Sequence, residues 1–309
     1  MKQGRRPGLT EALGVWSFFV LVAIAIVVTY ARIPPEELYH TSGRGLEAGA
    51  SRALVFVGFP FALVAIALAW IAAVRIGART AAGAAVLATI LCITVAFPGV
   101  VDQDDLDARP VNALAGVGAL LALALLAVAW VREGKGEAVP FGRADYVRIA
   151  VAVLLLLVAI PWIGAELGFY VSDAPVLGRI FIAEEIKPSL GGEPSLHAVH
   201  LGEHHGFDGV LLALSALALT RVPARMPTRR GATALALYLS LMLAYGLSLA
   251  LQDGWNEQLV KRGTIDARVP SVIRPVASPA WAGILVGALT IYLLFFRVVE
   301  SKRPEGVIR

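Results

Sequence analysis

The chain is 309 residues long, 58% hydrophobic and only 16% charged, with a formal net charge of +4 and a mean hydropathy of +0.73. That balance excludes an ordinary soluble globule and places the chain among proteins that live in a bilayer. A single cysteine, Cys92, excludes a disulfide framework and a cysteine-based metal site.

Crossing a bilayer core takes about 20 apolar residues in a helix. Runs of that kind lie near 14–31, 53–74, 80–98, 111–131, 149–168, 202–220, 231–251 and 279–296, and predict one all-α domain, a polytopic integral membrane bundle of about eight transmembrane helices. The first run follows Lys2, Arg5 and Arg6 and precedes Arg32 and two prolines, without a small-residue cleavage site, so it reads as an uncleaved anchor. The connections sort by charge. The stretches 1–13, 75–79, 132–148, 221–230 and 297–309 hold 17 Lys and Arg against 6 Asp and Glu, while the alternate segments hold 10 and 17. Positive charge stays on the cytoplasmic side, so both termini are expected there. The basic pI thereby reports orientation and gives no reason to expect nucleic acid as a partner; the bilayer itself is the expected partner.

Three extracytoplasmic segments, 32–52, 169–201 and 252–278, are long, and loops of this kind usually carry function. Trp16, Trp70, Trp130, Trp162 and Trp281 fall at or towards helix ends and Trp255 in an outer loop, as expected of interfacial anchors. Arg outnumbers Lys 22 to 5. That bias suits a GC-rich bacterial gene, and the plasma (inner) membrane is the expected location.

Function is concentrated in HAVHLGEHHGFDG, residues 197–209, which holds four of the five histidines. The fifth, His40, lies in another outer segment, so all five are expected on the extracytoplasmic side. Counting back from Arg221 at 1.5 Å per residue places Asp208 about 20 Å, His204 about 25 Å and His200 about 31 Å from the inner boundary, against a core of roughly 30 Å. If the sixth helix continues through this stretch, His197, His200, His204 and Asp208 share one face. An ionisable group at such depth needs a partner, and two histidines at i, i+4 can reach one ion. The expected metal ligands are therefore His200 and His204, completed by His197, Asp208 or His40, around a divalent ion such as zinc. Glu166 interrupts the outer end of the fifth helix in PWIGAELGFY, at the depth of His204. Glu203 or Glu166 is the expected general base.

HLGEH at 200–204 matches H-x-x-E-H, the inverzincin pattern in which two histidines bind zinc and the glutamate acts as base. The remaining chain does not resemble the large soluble peptidases that own it. HLGEHH also resembles one H-x-x-x-H-H box of the membrane di-iron desaturases and hydroxylases, which need several such boxes on the cytoplasmic side. The ceramidase and progestin-receptor-like hydrolases pair H-x-x-x-H with Ser-x-x-x-His, but Glu36 stands four before His40. Glu184 and Glu185 resemble the acidic pair of membrane CAAX-type proteases without the arginine that follows it. No family emerges from these motifs.

Three classes of function remain. A metal-dependent hydrolase would act on a lipid or lipid-linked substrate at the outer leaflet. A non-catalytic subunit, scaffold or sensor would use the histidines for metal or haem. A small-molecule or metal transporter would need a polar path, and the seventh run, GATALALYLSLMLAYGLSLALQ, offers only hydroxyls before its end.

Overall fold

The computed structural model describes residues 8–38, 43–97, 108–134, 136, 141–169, 175–176, 186–187, 196–197, 199–202, 204–261 and 264–299. It is helical apart from one antiparallel pair of two-residue strands, β1 (Ile186–Lys187) and β2 (Leu196–His197). Its helices are α1 (Thr10–Arg32), α2 (Gly45–Ile76), α3 (Arg79–Ala96), α4 (Asn112–Glu133), α5 (Arg143–Val158), α6 (Ile160–Glu166), α7 (His205–Arg225), α8 (Arg229–Val260) and α9 (Pro279–Phe296). Among the described residues, seven are long and apolar enough to cross a membrane, and the bent pair α5 and α6 makes an eighth if it counts as one span.

The apolar runs therefore become helices as expected, with three differences that matter for the site. The fifth run bends by 60° between α5 and α6. Pro161 accounts for the break, because it has no amide hydrogen for the preceding turn and its ring crowds the carbonyl there. The seventh run does not stop at 251. As α8 it continues through a wide π turn to Val260 and draws the first part of the expected loop 252–278 into the bundle. The sixth run starts at His205, later than the predicted 202.

α2 and α7 form the middle of the molecule, each with 78% of its apolar window buried, whereas α9 has 11% buried and lies at the edge. α7 packs on α8 at Gly209 and Gly246, where a Cβ on either residue would come within 2.5 Å of the other's carbonyl oxygen. Bare backbone at that crossing lets the helices touch, which is how small residues serve packing in lipid. α2 passes Pro60 through a π turn, Val57–Phe61, which widens the helix where the proline cannot donate.

Polar contacts fix which ends lie together. At one end Arg221 reaches both Glu11 (3.5 Å) and Asp145 (3.3 Å), and Arg148 donates to Thr220 (2.8 Å) and Asp145 (2.9 Å). Here the start of α1, the start of α5 and the end of α7 meet. At the other end Thr29 Oγ1 donates to the Glu166 carbonyl (2.6 Å) and Arg32 to the Leu167 carbonyl (2.8 Å), so α1 and α6 finish side by side.

A candidate metal centre at the end of the bundle

The site lies where α1 and α6 end, α7 begins and α8 ends. Residues 199–202 and His204 approach it outside any helix, held by a bridge from Leu201 to Leu38 and by the Gly202 amide donating to the Ala165 carbonyl (3.1 Å). Val199 and Leu201 are buried as anchors. Gly202 has φ +105°, a conformation that L side chains rarely adopt, and a Cβ there would sit 2.5 Å from the Tyr30 hydroxyl. That residue ends any helical path back from His205. The expected single helix face carrying His197, His200, His204 and Asp208 is thus replaced: the His197 backbone is in β2 opposite Ile186, His200 is in the loop, His204 is the residue before α7, and Asp208 is one turn inside it.

The loop nevertheless brings His200 and His204 together. Their rings stack with centroids 4.1 Å apart. Glu257, on the π turn of α8, completes the group: one donor atom from each of His200, His204 and Glu257 lies within 4.8 Å of the other two, an arrangement that can hold a metal ion. His204 Nδ1 is 3.1 Å from Glu257 Oε1 and 3.8 Å from Asp253 Oδ2. Its other ring nitrogen, Nε2, lies 2.8 Å from the His200 carbonyl, to which it can donate. Trp162 Nε1 donates to Glu257 Oε2 at 2.7 Å, and Lys261 Nζ approaches Oε1 at 3.5 Å. Asp253 caps α7 from outside by accepting from the Gly206 amide at 2.8 Å.

The electrostatics follow from burial and charge. Burial alone would lower the His204 pKa, but the Glu257 carboxylate, with Asp253 behind it, outweighs that and raises it to about 9. His200 is held well below its ordinary value by desolvation and then by the neighbouring His204 charge.

Asp208 and Glu166 are both buried. Asp208 Oδ2 pairs with His205 Nδ1 at 3.8 Å and is not among the three residues whose donor atoms converge. The Glu166 carboxyl faces the backbone amide of His204, with Asp208 within electrostatic reach, and neither of its oxygens is held by a well-aligned hydrogen bond among the described residues. Glu203, His40, Glu184 and Glu185 lie outside the described residues.

Sequence reasoning missed Asp253 and Glu257, having assigned both to a loop. Their signal is the spacing Asp253, Glu257, Lys261, which repeats every four residues and keeps one helix face polar. Trp162 is likewise no interfacial anchor: it is 1% exposed and bonded into the site. Compared with protein-family models, with curated proteins and with solved structures, the chain matches none of them.

Proposed function

We propose that the protein is a multi-pass plasma-membrane hydrolase that holds a divalent ion, zinc by donor type, through His200, His204 and Glu257 at its extracytoplasmic face. Its substrate is a lipid or lipid-linked molecule of the outer leaflet. The observation that carries this reading is the convergence of those three donors within 4.8 Å. Two histidines and a glutamate are a donor set of catalytic zinc sites, which use three protein ligands, whereas closed structural sites use four. The ligands are also braced from behind: His204 Nε2 meets a backbone carbonyl and Glu257 Oε2 accepts from Trp162. Such partners fix the tautomer and aim the donor atom.

The charge of the cluster accommodates a cation. Glu257 and Asp253 face His204, and Lys261 approaches Glu257; an ion held by His200, His204 and Glu257 would take the place of the His204 proton in neutralising these buried carboxylates. Bound there, a divalent ion would polarise the substrate's scissile group and make water a nucleophile near neutral pH. Glu166, buried beside His204, is the proton acceptor.

One observation favours a non-catalytic alternative. His204 already has a partner at each ring nitrogen, and Lys261 already approaches Glu257, so the cluster can stand as an ion network that merely ties α7 to α8. Elemental analysis of detergent-purified protein separates the two. The hydrolase reading expects close to one divalent ion per chain in wild type, lost in His200→Ala with His204→Ala and in Glu257→Gln. Wild type free of metal would leave the ion network. Reconstituted in bacterial lipid extract, the ion-loaded protein should release a product visible by mass spectrometry, and Glu166→Gln should keep the ion but release none. Ion retained with no product from wild type would overturn the hydrolase.

A further inference from the structure

We infer that Trp162 is the positioning residue of this centre: its indole N–H aims Glu257 at the ion. The inference rests on the metal-binding reading above and adds the element that tunes it. Trp162 is 1% exposed and donates to Glu257 Oε2 at 2.7 Å, while Glu257 Oε1 is the oxygen that faces His204 Nδ1 at 3.1 Å. A carboxylate on a long side chain can rotate and offer either oxygen; a fixed donor on one oxygen leaves the other as the ligand.

The indole is itself held rigidly. It stands on α6, just past the Pro161 break, and its ring covers Gly206 so closely that a Cβ there would lie 2.4–2.6 Å from three ring atoms. A Cβ on Gly254, one turn before Glu257, would lie 3.8 Å from the same ring. One side chain thus spans α6, the start of α7 and the end of α8. Glu166 follows Trp162 by four residues on the same short helix, so the bend that aims the indole also delivers Glu166 to the site.

This positioning predicts a loss of ion affinity without loss of any ligand. The test uses the purified full chain and Co²⁺ alone as probe, read by visible absorption and by titration. Trp162→Phe keeps most of the ring and removes the N–H. It should weaken Co²⁺ binding about 10- to 100-fold, the usual effect of losing a partner behind a metal ligand, and should shift the absorption bands. Gly206→Ala alters neither a ligand nor the donor but displaces the ring, and should weaken binding in the same direction. A matching elution profile and helical circular dichroism would separate these effects from misfolding. Trp162→Phe or Gly206→Ala, folded, with wild-type affinity and spectrum would overturn the positioning role while leaving the metal site intact. Wild type that binds no Co²⁺ would overturn both.

Discussion

Two carboxylates one turn apart on α8 face His204, and they have different work. Asp253 accepts from the Gly206 amide and so serves the first turn of α7, whose amides have no partner within the helix, whereas Glu257 is shared between His204 and Trp162. Removing a side-chain cap costs about 0.5–2 kcal/mol. Asp253→Ala should therefore lower thermal stability in detergent by an amount in that range while metal content stays near that of wild type. Glu257→Gln keeps the size of the side chain and a hydrogen-bond acceptor for Trp162, and should remove the ion. Equal metal loss in both variants would mean that Asp253 is also a ligand. The sequence disclosed the histidines because four of them crowd one stretch, but the glutamate that completes their group lies more than fifty residues away. Only the fold makes them neighbours.

At the scale of elements, the spans were legible because bilayer-length apolar runs leave few alternatives, and the ends were not. The polar sequence after Leu251 looks like a loop when each residue is asked only whether it suits lipid. It remains helical because Asp253, Glu257 and Lys261 turn towards protein partners, where a polar side chain costs little. The opposite error occurs before α7, where four-residue histidine spacing looks helical and Gly202 turns the chain. The same two rings are brought together by different geometry. Gly202→Ala tests the loop: a side chain at φ +105° is strained and meets the Tyr30 hydroxyl. Strain of this kind costs about 1–3 kcal/mol. The variant should melt earlier by a corresponding amount and hold its ion more weakly than wild type, since the loop carries His200. Unchanged melting would show that the loop does not need this turn.

For the whole molecule, the count of crossings depends on the bent pair α5 and α6, since seven crossings part the termini and eight unite them. Contacts along α1 bear on the choice. Asp145, on the first turn of α5, shares Arg221 with Glu11 at the start of α1, while the Glu166 carbonyl at the end of α6 accepts from Thr29 near the end of α1. The pair thus runs beside α1 from one end to the other, as a broken span does; a re-entrant loop would return to the end from which it came. With eight crossings the basic connections would all fall on one side, which the positive-inside rule predicts to be the cytoplasmic one. A reporter after Arg230 or at Arg309 should then read cytoplasmic, and one inserted near Gly191 external. An external reading at Arg309 with a cytoplasmic one near Gly191 would make the bent pair re-entrant. It would also carry the His200, His204 and Glu257 group to the cytoplasmic side, where an outer-leaflet substrate could not reach it.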